Sequence, residues 1–176
     1  SSDLHTRPYR GMKLEDIEIL HALHEWKVEA DYSSAIRLLE PFVRQLEQKE
    51  DSLANRNKYY RPLSYLKEKL LLWEIKQQVD SVNVGDSVRP YLKKDMLEGV
   101  YCDDGRRTYY WEGNQMINTL IAYRIIKNDP SLCKLKENMQ LYILRTKERG
   151  WNTYQASSAV ATVLTDLLAG SGGMSG

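Results

Sequence analysis

Gly150-Trp151-Asn152-Thr153-Tyr154-Gln155-Ala156-Ser157-Ser158-Ala159-Val160-Ala161-Thr162-Val163-Leu164-Thr165-Asp166-Leu167-Leu168 is the stretch that decides the fold class. The glycine stops the helix before it. From about Thr153 to Leu168, Ala156, Ala159, Val160, Val163, Leu164 and Leu167 recur at spacings of three and four, the period of one helix face. Small residues on that face let a neighbouring helix come close. Ser157 and Ser158 belong to that contact: no histidine lies near them in sequence, and no Gly-x-Ser-x-Gly turn exists to make either a nucleophile.

Working toward the N-terminus, the same period returns. Ser131 opens a helix carrying Leu135, Met139, Tyr142 and Ile143, and Asn114 opens one carrying Ile117, Leu120, Ile121 and Ile125, ended by Asn128-Asp129-Pro130. Val84-Gly85-Asp86 reads as a stop and a new cap, and Ser87 to Leu97 as a short helix interrupted at Pro90. Pro62 sits where a first-turn proline belongs, ahead of Leu63, Leu66, Leu70, Trp73 and Val79. Ser33 caps a helix with Ile36, Leu39, Val43 and Leu46, in which Pro41 predicts a kink or short break. Leu14, Ile17, His21, His24 and Val28 mark the first helix. Asp80 to Val84 and Gly99 to Tyr110 have room for short extended pieces, but no alternating run is long enough for a sheet. The fold class is all-α, built from antiparallel helix pairs.

The expected organisation is an irregular segment over 1–12, one helical domain over 13–169 and a flexible Gly/Ser tail over 170–176. The polar ends read as connections into a longer polypeptide. At 176 residues one ordinary core is expected. A net charge of +1 gives no field that would gather nucleic acid or an anionic membrane. No apolar run approaches the roughly 20 residues needed to span a bilayer. Twelve Tyr and four Trp beside one Phe favour half-buried seams and contact surfaces. Cys102 and Cys133 are too few for a disulfide framework or a cysteine zinc site, and the sequence leaves open whether they pair.

A weak repeat runs through the second half. Thr108-Tyr109-Tyr110-Trp111 precedes a helix with Thr119 and Ala122, and Gly150-Trp151 precedes one with Ala159 and Thr162, the two tryptophans lying 40 residues apart. The run Gly150 to Val160 resembles the Gly-Trp-x-Thr-x-x-x-(Thr/Ser)-Ala pattern of α/α-toroid domains. Tyr109-Tyr110-Trp111-Glu112 followed by Asn118-Thr119-Leu120-Ile121-Ala122-Tyr123 resembles another turn of the same toroid. Over about Leu92 to Leu168 the chain is similar to the thioester-type domain of bacterial alpha-macroglobulin-like proteins. That resemblance implies an α/α-toroid, or part of one, within a large secreted or periplasmic protease trap. It implies no thioester here, because neither Cys102 (Val-Tyr-Cys-Asp-Asp) nor Cys133 (Ser-Leu-Cys-Lys-Leu) is followed by Gly-Glu-Gln.

The candidate contact surface is Arg106, Arg107, Tyr109, Tyr110, Trp111 and Trp151. Arginine beside aromatic rings can grip a carboxylate, a sugar or a partner backbone, against the plainer reading of solvated loop charge and core aromatics. Asp103, Asp104 and Glu112 are the alternative acid/base set, since paired carboxylates are the minimum for glycoside chemistry. Asp103-Asp104-Gly105 is equally a common turn. His21 and His24, three apart with Glu18 and Glu25 nearby, can approach one metal, but packing in a helix seam is the plainer reading and the zinc-protease spacing is absent.

The leading expectation is a non-catalytic interaction or scaffold domain with no cofactor and no metal. Its partners would be neighbouring domains or a captured protease, and a half-toroid would offer an open apolar edge for a homodimer. The alternatives are an α/α-barrel enzyme acting on glycans or isoprenoids, and a helical-repeat adaptor, the latter disfavoured because the repeat is nearer 40 residues than the roughly 34 of tetratricopeptides. The cell envelope, periplasm or exterior is implied by the resemblance alone.

Overall fold

A computed structural model describes residues 11–108, 114–147, 150 and 152–175. Helices dominate, as expected: α1 Glu15–Glu25, α2 Tyr32–Arg56, α3 Leu66–Val79, α4 Gly85–Val88, α5 Asn114–Ile126, α6 Cys133–Thr146, α7 Thr153–Ala159 and α8 Thr165–Ser175. Short 3₁₀ turns cover Arg89–Tyr91 and Pro130–Leu132, and a π-helical turn, Val160–Leu164, joins α7 to α8. Among the described residues no helix is long and apolar enough to cross a membrane.

Where the sequence suggests one helical domain, the contacts fall into two compact units. The first takes the described residues up to Asp86 together with 104–108; the second takes Ser87–Asp103 and the described residues from 114 onward.

In the first unit α3 packs on both α1 and α2. Ile17, Ile36, Val43, Leu66, Leu70, Leu72 and Ile75 are all but sealed from solvent and form its core. The helix pairing is antiparallel, because Glu40 pairs with Lys76 (3.1 Å) while Glu47, two turns on, pairs with Lys69 (3.0 Å). Lys67–Glu18 (2.5 Å) ties α3 to α1. Pro41 does not break α2, which runs through it. The N-cap is Asp31 rather than Ser33: its carboxylate accepts from the Ser34 N–H at 3.1 Å and from the Ser34 hydroxyl. Those bonds, the hydroxyl's first, lower the Asp31 pKa. Ser33 instead donates to Asp80 at 2.6 Å.

The start of α3 is also corrected. Pro62 lies outside the helix, its carbonyl accepting from the Arg107 N–H (3.1 Å), and Ser64 meets the Leu66 N–H through its hydroxyl (3.2 Å). A tertiary pairing thus takes residues that local pattern assigns to a first turn.

The second unit holds a two-stranded antiparallel ribbon, β1 Leu92–Lys94 and β2 Val100–Cys102, with Leu92 opposite Cys102. Residues 87–91 are helical and 99–110 holds a short extended piece, both as expected. Residues 92–97 are not helix, and the pairing of the two strands corrects the expected lack of any sheet. Asp95 makes the turn: its carboxylate accepts the N–H groups of Leu97 (2.9 Å) and Gly99 (2.8 Å) and is met by the Arg145 guanidinium (3.1 Å). Against partial desolvation, these contacts hold the Asp95 carboxyl below its usual pKa.

The ribbon packs on α5 and α6. Along α5, Met116, Asn118 to Tyr123, Ile125 and Ile126 are buried, so the helix is covered around most of its circumference, with Ile117 and Arg124 half-buried on the remaining face. Asn152 and Gln155 form a reciprocal capping box at α7. Helix α8 runs to Ser175, across residues read from sequence as a flexible tail.

Candidate functional site

The sequence points to the segment around 103–112, and the structure divides it. Asp103 belongs to the second unit, where its N–H donates to the Tyr91 carbonyl (2.9 Å) and extends the ribbon. Asp104, Arg106 and Arg107 belong to the first unit. Tyr109, Tyr110, Trp111, Glu112 and Trp151 lie outside the described residues.

Residues 104–108 are clasped onto the first unit. The Ser64 N–H donates to the Arg107 carbonyl (2.7 Å), the Arg107 N–H to the Pro62 carbonyl (3.1 Å), and Leu63 and Arg107 form an isolated parallel bridge. The Asp104 carboxylate receives the Ser64 hydroxyl on one oxygen (2.8 Å) and the Arg106 N–H on the other (3.1 Å). The turn passes through Gly105, whose φ of +72° strains any residue with a Cβ. Arg106 reaches Asp51 near the C-terminal end of α2 at 2.7 Å. Burial works against its charge, but Asp51, Asp104 and Glu47 raise its pKa on balance. One buried nitrogen of that guanidinium, Nη1, meets no acceptor among the described residues. Arg107 donates to the Arg61 carbonyl (3.2 Å) and lies 6.0 Å from the centre of the Tyr60 ring. The Tyr60 hydroxyl donates to the buried Glu50, which raises the phenol pKa.

Two members of this network are not visible as site residues in the sequence. Ser64 couples the clasp to the start of α3 by donating to Asp104 while accepting from Leu66. Glu68, in the first turn of α3, has its carboxyl pKa raised by burial, against its own backbone N–H and Lys67, with Glu18 and Asp104 adding to the rise. A carboxyl shifted by burial and a neighbouring charge is the one signal of catalytic type here, and structural clusters produce it as well.

The histidines do different jobs. The His21 ring is buried, with Nε2 at 2.6 Å from Glu74 on α3 and Nδ1 at 3.7 Å from Glu25. His24 instead meets the Tyr32 ring edge-on at 5.0 Å. Both line a cleft of about 330 Å³ with Glu25, Lys27, Glu74 and Gln78. Among the described residues no group of three or more His, Cys, Asp or Glu side chains is placed to hold a metal ion. Cys102, buried, and Cys133, exposed, do not form a disulfide with each other.

No family model, curated protein or solved structure matches this chain.

Proposed function

We propose that the chain is a non-catalytic helical interaction or scaffold domain, similar to the thioester-less helical domain of a bacterial alpha-macroglobulin-like protease trap. The observation that carries the reading is the state of the Asp104 carboxylate. Both of its oxygens are engaged by donors of the same unit, the Ser64 hydroxyl and the Arg106 N–H, so it ties a loop to a helix start. One donor on each oxygen fixes the carboxylate in place and uses it as a tie within its own unit, which is a structural role. A second support is α5, which is buried around most of its circumference as the inner helix of a helix-pair array would be. On this reading the domain works by shape, in the periplasm, the cell envelope or outside the cell. It holds neighbouring domains or a captured protease in position, and a half-toroid would add a homodimer through an open helical edge.

Asp104→Ala separates this from the α/α-barrel enzyme. The scaffold reading expects a loss of about 1–3 kcal/mol of stability, from two unmatched donors, and no turnover of a polysaccharide panel by either protein. Release of reducing sugar by the parent chain that vanishes in the variant, with an unchanged melting temperature, would overturn it.

A further inference from the structure

The seam between α2 and α3 has a regular register. Glu40 pairs with Lys76 and Glu47 with Lys69, so residues whose numbers sum to 116 face each other. These two ion pairs stand seven residues apart on each helix, about 10 Å along the axis. Between them the same register sets Val43 opposite Trp73 and Arg44 opposite Leu72. The four residues of the interval, with the two ion pairs at its ends, line a groove of about 210 Å³. Its floor is apolar and closed, Val43 and Leu72 each being 1% exposed, while the half-buried Trp73 forms one wall.

Arg44 is the unpaired member of this seam. It is exposed, and the position facing it holds leucine instead of a carboxylate. The two acids within helical reach on its own helix, Glu40 and Glu47, both turn across to lysines of α3. Three cations therefore face two carboxylates, and no acceptor of the described residues meets the Arg44 guanidinium. The missing charge is one carboxylate, placed over an aliphatic floor and beside an indole.

We propose that this groove is a docking site for an acidic segment of a partner protein, which inserts one Glu or Asp carboxylate opposite Arg44 with an adjacent aliphatic side chain against Trp73. Arginine suits the task because its planar fork binds a carboxylate through two N–H groups at once. The apolar floor strengthens that contact by excluding water from one side of it. The choice of a protein as occupant rests on the interaction reading above; the charge deficit does not.

The test is a ¹H–¹⁵N titration of the chain with a blocked pentapeptide alternating Leu and Glu, read at the Trp73 indole N–H and the Arg44 side-chain N–H. Saturable shifts of both signals are expected, with none from the Leu/Lys counterpart. Arg44→Gln is expected to weaken binding about ten-fold or more without moving the melting temperature, since the side chain is exposed and bonds nothing. Silent signals, or equal affinity in Arg44→Gln, would overturn the site. Saturation by phenylacetate at the same concentration as the peptide would equally overturn it, showing a small-carboxylate pocket. If the peptide fails while Asp104→Ala behaves as expected, the groove falls and the scaffold reading stands.

Discussion

Tyr123 shows most clearly what one residue does in the second unit. Its ring is fully buried, and its hydroxyl donates to Asp166 (2.9 Å) while accepting from Gln140 (2.9 Å). Burial pushes its pKa up to about 12; the Gln140 bond opposes this and the Asp166 carboxylate adds to it. An unfolded tyrosine titrates near 10. The folded state therefore holds the proton more tightly, and the associated stability is intact below about pH 10 and lost as pH climbs toward 12. Tyr123→Phe is expected to cost about 1–3 kcal/mol at neutral pH, because Asp166 then keeps only Lys127 at 3.3 Å. The variant should also lose less stability than the parent between about pH 10 and 12, which urea titrations across that range would read. An unchanged alkaline slope would contradict the assignment. At this scale the sequence points to 103–112, of which Asp104, Arg106 and Arg107 belong to the first unit and Asp103 to the second. It cannot see Ser64, Glu68 or Asp51, whose contacts with them depend on a chain reversal many residues away. The cap of α2 is misread because Asp31 and Ser33 are both good capping residues two positions apart; Asp31 takes the Ser34 N–H, and Ser33 is drawn off to the distant Asp80.

Elements were legible where apolar residues keep the helical period and illegible where tertiary partners override it. The faces Ile36-Leu39-Val43 and Leu120-Ile121-Ile125 are buried as read. The ribbon was missed because each strand is three residues long, too short for an alternating pattern. What holds it is Asp95 in the turn and the bond from the Cys102 N–H to Thr119 (2.9 Å), neither of which has a periodic signal. Gly99→Ala tests that turn. A Cβ there would lie 2.7 Å from the Asp95 carboxylate and 3.1 Å from Tyr142. Asp95 is held by three donors and cannot swing away freely, so a loss of about 1–3 kcal/mol is expected in thermal unfolding. A neutral result would mean that Asp95 gives way without cost. Pro41 gives the opposite prediction. It sits inside a continuous helix with no N–H to offer, so Pro41→Ala should stabilise the chain by about 1–2 kcal/mol.

For the whole molecule, two compact units replace the single domain read from continuous helical periodicity. Periodicity reports which face of each helix is covered, and it is silent about which helices share a core. The chain passes from the first unit to the second at Asp86–Ser87, within α4, just after the connection that leaves α3. Asp80, Ser81, Val82 and Asn83 are exposed there, and Ser81 has a left-handed backbone with φ of +53°. Among the described residues thermolysin should therefore cut first before Val82. A first cut inside α2 or α3 would show that the helices open before the connection does. The chain returns to the first unit between Asp103 and Asp104, where the clasp begins, and the central claim is that this clasp is structural. Native-state hydrogen exchange at the Ser64 and Arg107 amides tests that most directly, because these two N–H groups form the clasp's main-chain bonds. Protection equal to that of the core amides of Leu70 and Leu71 is the predicted result. Exchange at the rate of an open loop would contradict it, and would free Asp104 for the chemistry this account denies it.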